Sequence, residues 1–314
     1  MRTRSIITLG ALLAMPACQR DPTSPTDPSG VGNAAAATAT TAADSVILMA
    51  VGDMHADCAI RSKRVSAVAA IIARYPQALV VTMGDDAGTY GTAADFQCLD
   101  RSWAGIKSRT YAAIGNHEAA KDTTAKPYYD YWNGVGVDSG RAGRRGRGYY
   151  TLSYGGWRIL VANSNQSRKV QTSWLTQQLA TSPTRCTMGI WHRPLFTSSA
   201  QPVNVQVDPG ILPWWNALYP AQADVVLHGH VHSYERFAEL KPDGTVDPDR
   251  GIRELVVGTG GASLYQFAAT PRAGSEKRLR YWGVLKMTLW PTRYAWQFID
   301  TAGVVRDQGQ DTCH

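Results

Sequence analysis

The sequence predicts an α/β fold for residues 44–314, and two features of the residue pattern carry this prediction. From Ser45 onward, short apolar runs of strand length alternate with amphipathic segments, which is the pattern of βαβ units. Towards the C-terminus the pattern becomes alternating or hairpin-like, as in antiparallel strands. We therefore expect an α/β core with a more antiparallel C-terminal part.

Each predicted strand is a short apolar run, and each predicted helix is an amphipathic segment between such runs. The strands are predicted at Val46–Val51, Leu79–Met83, Thr110–Ile114, Trp157–Val161, Cys186–Trp191, Ala223–Leu227, Glu254–Val257, Val284–Trp290 and Tyr294–Asp300. The helices are predicted at Val65–Arg74 and Ser173–Ala180. Tyr149 and Tyr150 are also expected to belong to the core side of a strand.

The first 43 residues predict an export signal and a tether. Two arginines precede an apolar run, Ile6–Met15, that is too short to span a membrane as an anchor. Residues 1–18 are therefore predicted to be a signal peptide that ends in a lipoprotein cleavage box, with Cys18 as the lipidated residue. Plain secretion is the alternative. Residues 19–43, rich in Pro, Thr, Ser, Gly and Ala, predict a flexible tether.

The charge balance says little about function. A formal net charge of +7 is a mild basic excess, which suits an anionic substrate without requiring nucleic acid. No stretch interleaves aromatic and cationic residues over the length of a nucleic-acid track.

Polar clusters rich in Asp, Asn and His directly follow five predicted strands. They are Gly52-Asp53, Gly84-Asp85, Gly115-Asn116, His192 and residues 228–232. Ligands bind at this edge of open α/β sheets, and glycine lets the backbone turn sharply there. Each cluster alone is a common turn. Nevertheless, six of the seven histidines lie in or beside these clusters, and only His314 lies elsewhere.

The order of these clusters is specific. They read Gly-Asp-Met-His (52–55), Gly-Asp (84–85), Gly-Asn-His-Glu (115–118), Trp-His-Arg-Pro (191–194) and Gly-His-Val-His (229–232). In this order, residues 45–300 resemble the calcineurin-like metallophosphoesterase superfamily. The resemblance implies a sandwich of two mixed β-sheets flanked by helices. It also implies that residues 44–314 form a catalytic domain that hydrolyses phosphoric esters with metal ions.

Two metal ions explain the types of residue in the clusters. Hard-to-borderline cations take carboxylate oxygens and imidazole nitrogens, with one carboxylate as a bridge. The resemblance assigns Asp53, His55, Asp85 and His232 to metal one, and Asp85, Asn116, His192 and His230 to metal two, so that Asp85 is the bridge. Iron, zinc and manganese all suit such ligands, as divalent or trivalent ions. Two such ions can hold a bridging water as the nucleophile for displacement at phosphorus.

Neighbouring residues have roles that remain open at this point. The resemblance implies that His117 stabilises charge on the phosphoryl group or acts as general acid towards the leaving oxygen. Glu118 would orient His117 or, as we favour, be a solvated turn carboxylate. His228 would have a structural role or contact substrate. Arg193 would bind phosphate oxygens or lie on the surface. The basic segment Arg141–Gly148 would attract substrate or be a solvated flexible loop.

Within the superfamily, the chain looks most like bacterial proteins related to purple acid phosphatases. The shared segments are Asp-Cys (57–58), Phe-Gln-Cys (96–98) and His-Ser-Tyr-Glu-Arg-Phe (232–237). Those relatives usually place a metal-binding tyrosine three residues after the aspartate of motif two. Here that position is Gly88, and Tyr90 lies too far along. His55 stands where they usually carry a small or apolar residue, which implies that a histidine ligand replaces the tyrosine.

The sequence contains five cysteines. If Cys18 carries lipid, four remain in an oxidising compartment, and three pairings are open to them. We favour Cys58 with Cys98, which flank the first two motifs, and Cys186 with Cys313, which would fix the C-terminal segment. Buried free thiols are the alternative.

The predicted function is hydrolysis of small phosphomonoesters by an exported enzyme, in the periplasm or at the cell surface as a lipoprotein, or else secreted. Phosphodiester or nucleotide hydrolysis is the main alternative, because the two-metal chemistry is common to both. A non-catalytic surface lipoprotein is a minor alternative, which the intact ligand set disfavours. Membrane attachment would come from the lipid on Cys18, since the sequence has no second apolar run of membrane-spanning length.

Overall fold

The computed structural model describes residues 45–181, 184–202 and 207–314. The predicted signal peptide, Cys18 and the predicted tether lie outside these residues.

The strands are β1 (Val46–Val51), β2 (Leu79–Met83), β3 (Thr110–Ala113), β4 (Ser139–Gly140), β5 (Gly143–Arg144), β6 (Tyr150–Tyr154), β7 (Trp157–Val161), β8 (Cys186–Ile190), β9 (Val225–His228), β10 (Tyr234–Leu240), β11 (Ile252–Val257), β12 (Ser275–Leu279), β13 (Gly283–Trp290), β14 (Arg293–Asp300) and β15 (Val305–Thr312). The helices are α1 (Ile60–Ala73), α2 (Ala93–Lys107), α3 (Lys126–Asn133), α4 (Arg168–Thr181) and α5 (Leu212–Leu218). None of these helices is long and apolar enough to cross a membrane.

Two large mixed sheets form the fold. The first has the order β15-β14-β13-β1-β2-β3, in which β1, β2 and β3 are parallel and β13 to β15 run antiparallel. The second has the order β12-β10-β11-β9-β8-β7-β6, in which β7, β8, β9 and β11 are parallel. The predicted fold class, with its more antiparallel C-terminal part, is confirmed.

The sheets pack against each other, and helices cover their outer faces. Val81 and Leu285 of the first sheet share an apolar cluster with Ile159 of the second. The next residue, Leu160, belongs to a separate cluster with Leu175 of α4. Successive residues of β7 are thus buried on opposite faces of the sheet. This explains why the parallel strands appear in the sequence as continuous apolar runs.

The predicted strands agree with the observed ones to within two residues at each end, whereas the helices differ more. Both α1 and α4 begin earlier than predicted, because their first turns contain no buried apolar residue and carry no apolar periodicity. α2 is absent from the predicted elements, although Thr92 and Asp95 form a capping box at its start. Of the two tyrosines predicted to lie in a strand, Tyr150 begins β6, whereas Tyr149 precedes it, and both are only partly buried.

Two disulfide bonds join Cys58 to Cys98 and Cys186 to Cys313, with Cα–Cα distances of 4.9 and 5.4 Å. The predicted pairing is confirmed. The first bond ties the loop after β1 to α2, and the second ties the segment after β15 to β8. Each bond restricts the unfolded chain and is expected to stabilise the fold by about 2–5 kcal/mol.

The basic segment Arg141–Gly148 contains β5 and is held by ion pairs. Arg144 lies 2.9 Å from Asp138, and Arg145 lies 2.7 Å from Asp130. These two arginines are paired with carboxylates, which favours a solvated surface role over attraction of an anionic substrate.

Candidate metal centre

The predicted polar clusters lie at the carboxyl ends of parallel strands in both sheets. Asp53, Asp85 and Asn116 follow β1, β2 and β3 of the first sheet, and His192 and His230 follow β8 and β9 of the second. The two sets of strand ends meet, since Nε2 of His192 from the second sheet lies 3.2 Å from Oδ2 of Asp85 from the first. The sheet topology thus explains how residues far apart in sequence form one site.

Four candidate ligands have a left-handed backbone conformation. The φ angle is 58° at Asp53, 47° at His55, 56° at Asp85 and 65° at His230. This conformation costs a non-glycine residue about 1–2 kcal/mol. Strain of this kind clusters at functional sites, so its presence at four of these residues marks the strand ends as a site.

A glycine is required where two of the turns approach each other. A Cβ atom on Gly115 would overlap the carboxylate and the backbone nitrogen of Asp85. The backbone N–H of His117 donates to Oδ1 of Asp85 at 2.8 Å, across the same contact. The turn after β3 therefore approaches the turn after β2 closely enough to bond its carboxylate.

Asp53, His55 and His232 form the first cluster of candidate ligands. Oδ1 of Asp53 lies 3.3 Å from Nε2 of His232. Both Asp53 Oδ1 and His55 Nε2 are buried, and neither has a hydrogen-bond partner among the described residues. Buried polar atoms left unbonded are costly, and a cation would satisfy both of these. The cluster therefore fits a metal ion.

Asp85, His192 and His230 form the second cluster. Nε2 of His192 lies 3.2 Å from Oδ2 of Asp85 and 3.1 Å from Nδ1 of His230. It also lies 3.1 Å from Oδ1 of Asn116. Such spacings suit ligand atoms that share one ion at about 2.0–2.2 Å. All four residues assigned to metal two by sequence are brought together.

Asp85 connects the two clusters. Its Oδ2 lies 3.2 Å from Nε2 of His192 on one side and 3.6 Å from Nε2 of His55 on the other. Burial by itself would raise the pKa of the Asp85 carboxyl, but His192 and His55 hold that pKa well below its usual value. Burial opposes protonation of His192, yet Asp85 raises the pKa of His192 to about 9. The site is thus built to hold positive charge beside Asp85.

Backbone carbonyls orient three of the imidazole rings. The Nδ1 atoms of His192, His117 and His232 lie 2.7, 2.5 and 3.0 Å from the carbonyl oxygens of Met83, Thr89 and Ser263. A carbonyl oxygen only accepts, so each Nδ1 carries the proton of its bond. The Nε2 atoms of these three rings therefore remain available to bind a metal ion or to exchange a proton.

His117 is the most exposed of the clustered histidines that contact Asp85. Its Nε2 lies 3.7 Å from Oδ2 of Asp85, and its side chain is 28% exposed. The side chain of His55 is 6% exposed and that of His192 is fully buried. A substrate can therefore reach His117 more readily than the buried ligands.

Glu118 is buried, so the favoured prediction of a solvated turn carboxylate is wrong. Its carboxylate accepts hydrogen bonds from the backbone N–H groups of Asp85, Asp86 and Gly115, at 2.9, 2.7 and 2.8 Å. Burial and the charge of Asp85 raise the pKa of Glu118 to about 7. Glu118 joins the turns after β2 and β3, and it thereby positions the residues on both.

His228 is fully buried. Of its two predicted roles, burial is incompatible with a substrate contact and agrees with a structural role. Its Nδ1 lies 3.0 Å from the carbonyl oxygen of Trp191, and its Nε2 lies 3.1 Å from Oε1 of Glu254. Glu254 also accepts a hydrogen bond from the backbone N–H of Leu195 at 3.2 Å. The pair therefore supports the loop that carries His192.

Arg193 reaches the second cluster with its guanidinium. Nη1 lies 2.9 Å from Nε2 of His230, and Nη2 donates to Oδ1 of Asn116 at 3.2 Å. The sequence left open whether Arg193 contacts the site or lies on the surface away from it. These contacts exclude the surface alternative.

Position 88 is closed to a tyrosine ligand. Gly88 has a φ of 57°, and a Cβ atom there would overlap the carboxylate of Asp95. Tyr90 is 57% exposed. His55 places its Nε2 3.6 Å from Oδ2 of Asp85, and its exchange for the tyrosine ligand stays a prediction.

Residues 258–265, which follow β11, belong to the site but are absent from the predicted site residues. The backbone N–H of Gly260 donates to the carbonyl of Gly52 at 2.9 Å, and that of Ala262 to the carbonyl of Asp53 at 3.0 Å. The available signal was the Gly-Thr-Gly-Gly segment (258–261), a glycine-rich turn directly after a strand.

Comparison with known proteins identifies the family of the chain. The family model of calcineurin-like phosphoesterases matches residues 48–234. Among curated proteins, none matches the chain by sequence. In structure, the chain is similar to purple acid phosphatase PPD1 from yellow lupin (Lupinus luteus) seeds, with a TM-score of 0.73 and 18% identity over 85% of this chain and 54% of that one. The chain therefore spans about half the length of the lupin enzyme.

Two further structures share the fold. GAP50, the anchor in the inner membrane complex of Plasmodium, has a TM-score of 0.63 and 12% identity over 86% of this chain and 89% of its own. PhoD has a TM-score of 0.58 and 13% identity over 85% of this chain and 68% of its own. These likenesses concern the fold, whereas the family match covers the strands and turns that carry the ligand clusters. The chain belongs to the calcineurin-like phosphoesterase family, whose members are phosphoester hydrolases that use divalent or trivalent metal ions.

Proposed function

We propose that the chain is an exported phosphatase that hydrolyses small phosphomonoesters at a centre of two metal ions. One observation carries the proposal: Oδ2 of Asp85 lies between Nε2 of His192 and Nε2 of His55, at 3.2 and 3.6 Å. Beside it, Oδ1 of Asp53 is buried without a hydrogen-bond partner among the described residues. Two ions bridged by Asp85 would satisfy these atoms together.

Seven side chains would hold the two ions. Metal one would take Asp53, His55, Asp85 and His232, and metal two would take Asp85, Asn116, His192 and His230. When bound, two such ions activate a water molecule as nucleophile and offset the negative charge of the phosphoryl group. Iron, zinc and manganese all suit this mixture of oxygen and nitrogen donors.

His117 donates the proton that the leaving oxygen requires. Its Nδ1 is bonded to the carbonyl of Thr89 at 2.5 Å, so Nε2 is the atom that exchanges a proton with the substrate. That atom lies 3.7 Å from Oδ2 of Asp85, on a side chain that is 28% exposed. General-acid catalysis by a group in this position contributes about 10²–10⁴ in rate.

Arg193 binds the oxygens of the phosphoryl group. Its guanidinium lies beside His230 and Asn116, so its planar donors contact the side chains that would hold metal two. A phosphomonoester has one more unesterified oxygen than a diester, and Arg193 gives that oxygen a partner besides the two ions. This arrangement favours monoesters.

Hydrolysis of phosphodiesters or nucleotides at the same centre is the alternative. A non-catalytic role is a second alternative, suggested by the likeness in fold to GAP50, whose name describes an anchor. The presence of every ligand in the two clusters disfavours that second alternative.

Export of the protein is supported by its two disulfide bonds, since disulfides persist in oxidising compartments. We propose that lipid on Cys18 attaches the protein to a membrane. Replacement Cys18→Ser is expected to move the exported protein from the membrane fraction to the soluble fraction. If the wild-type protein is itself soluble, secretion without lipid is correct instead.

A substrate panel tests the proposed reaction. Protein loaded with zinc, manganese or iron is assayed with para-nitrophenyl phosphate, its bis-ester, pyrophosphate and nucleotides, as wild type and as Arg193→Ala. Arg144→Ala, which removes a surface guanidinium paired with Asp138, serves as control. We expect the monoester to be hydrolysed fastest, and Arg193→Ala to lower kcat/KM more for the monoester than for the bis-ester. Faster turnover of the bis-ester or nucleotides would favour the alternative, and no turnover at all would overturn the enzymatic role.

A further inference from the structure

Tyr265 lies against His232, one of the proposed ligands of metal one. The ring centroids are 4.2 Å apart, and the ring planes differ by 17°. In addition, the backbone N–H of Tyr265 donates to the carbonyl of His232 at 2.8 Å. None of the five sequence motifs includes Tyr265, and the proposed reaction does not use it.

The loop that carries Tyr265 fixes the first ligand cluster from several directions. The carbonyl of Ser263 lies 3.0 Å from Nδ1 of His232. The backbone N–H of Ala262 donates to the carbonyl of Asp53 at 3.0 Å. The imidazole of His232 is therefore held at one edge by Ser263 and on one face by Tyr265. Rotation of this ring would break the bond to Ser263 and the stack together.

The loop itself is anchored independently of His232. Its carbonyl oxygens accept side-chain hydrogen bonds from Arg64 (to Gly261, 3.1 Å), Trp282 (to Ala262, 2.8 Å) and Arg280 (to Tyr265, 2.8 Å). These bonds fix the backbone from which the Tyr265 ring projects, so the ring can restrain the imidazole.

We propose that Tyr265 is a positioning residue for metal one: its ring keeps Nε2 of His232 directed at the ion, and it thereby sets the affinity of the first metal position but not of the second. The inference rests on the proposed two-metal centre. In the second cluster, His192 is oriented by the carbonyl of Met83, and its ring lies beside His230, with centroids 4.8 Å apart. Orientation of that cluster does not involve Tyr265.

The stacked ring, and not the hydroxyl, carries this role. Tyr265 contacts His232 through its ring and its backbone N–H. Phenylalanine, which keeps the stack, is expected to substitute for it.

Calorimetric titration of the metal-free full chain with zinc tests the proposal. Wild type and Tyr265→Phe are expected to bind two ions per chain with the same affinities. In Tyr265→Ala one of the two ions binds about 10- to 100-fold more weakly, the usual effect of losing an outer partner of a ligand, and the other is unchanged. Tyr219→Ala, which removes a partly buried tyrosine bonded to Asp247, controls for general destabilisation and should leave both affinities unchanged.

The same titration identifies which ion is affected. His232→Ala should weaken the same step, and the combination with Tyr265→Ala should weaken it no further, because both act on one ligand. Tyr265→Leu replaces the alanine variant if that variant does not fold. Equal affinities in wild type and Tyr265→Ala, equal losses at both steps, or the same loss in Tyr265→Phe would each overturn the inference. Fewer than two ions in wild type would instead overturn the two-metal centre on which the inference rests.

Discussion

The carboxylate of Asp95 occupies the space that a side chain at Gly88 would need. It is fixed there because the backbone N–H and the hydroxyl of Thr92 donate to it at 2.9 and 2.8 Å, at the start of α2. Gly88 also has a φ of 57°, which a tyrosine adopts only with strain. The lack of a tyrosine ligand is therefore built into the turn before α2, and a single substitution cannot restore it.

The iron-loaded protein is expected to lack the tyrosinate-to-iron charge-transfer band of purple enzymes. Gly88→Tyr should not create that band, and overpacking against Asp95 should lower the free energy of unfolding by about 1–3 kcal/mol. Visible absorption and urea denaturation measure the two effects. A strong visible band in the wild type that disappears in Tyr90→Phe would show that a tyrosine ligand is present after all.

His117→Ala should retain both metal ions but lose rate. The loss should reach about 10²–10⁴ for alkyl phosphates, whose leaving oxygen needs a proton, and should be smaller for para-nitrophenyl phosphate. Steady-state rates on both substrates, with metal content measured in parallel, check this. His314→Ala, which removes the histidine outside the clusters, is the control. Equal losses on both substrates would rule out a general-acid role.

Loss of the Cys58–Cys98 bond should affect the metal centre, whereas loss of the Cys186–Cys313 bond should not. The first bond lies in the loop that carries His55, and the second lies at the C-terminal segment. Paired replacement by serine should lower stability by about 2–5 kcal/mol in each case. Only the first pair should weaken binding of metal one in a zinc titration. Equal metal affinities in the two double variants would contradict this coupling.

Asp224 makes stability depend on pH. It is buried and accepts hydrogen bonds from the backbone N–H groups of Thr187 and His314, at 2.7 and 2.9 Å. Burial raises its pKa from 3.8 to about 6, so the folded state binds a proton more tightly than the unfolded state. Tighter proton binding by Asp224 therefore stabilises the folded state fully below pH 3.8. This stabilisation is lost as the pH rises through about 6.

The free energy of unfolding falls by at most about 3 kcal/mol when Asp224 ionises. Asp224→Asn, which cannot ionise, should remove this part of the pH dependence. Urea denaturation of both forms on either side of the transition measures it. Parallel pH profiles for wild type and variant would show that Asp224 keeps its ordinary ionisation in the fold.

The ligand-bearing turns could be predicted because each follows a buried strand whose apolar run ends at a glycine or a histidine. Val51 precedes Gly52 and Met83 precedes Gly84, so the sequence marks both the strand and its end. The local pattern was also enough to predict the pairing of Cys58 with Cys98, since these two cysteines flank the first two motifs.

Roles that depend on tertiary contacts could not be predicted. Glu118 appears in the sequence as a turn carboxylate, and only the approach of the β2 and β3 turns surrounds it with three backbone N–H donors. Tyr265 lies far along the chain from His232, and no periodicity indicates that a loop returns to stack on that ring. β15 was missed because its residues are mostly polar and only one of them is buried.

The bridging role of Asp85 is tested most directly by counting metal ions per chain in wild type, Asp85→Asn and Asp86→Asn. Asp86 is the buried neighbour outside the ligand clusters, bonded by Thr82 and Trp132 at 2.9 and 3.1 Å, and serves as the matched control. We predict two ions in wild type and Asp86→Asn. In Asp85→Asn we predict fewer than one ion and a loss of phosphatase activity beyond the about 10- to 100-fold effect of an outer partner. Two ions and wild-type activity in Asp85→Asn would contradict a centre bridged by this carboxylate.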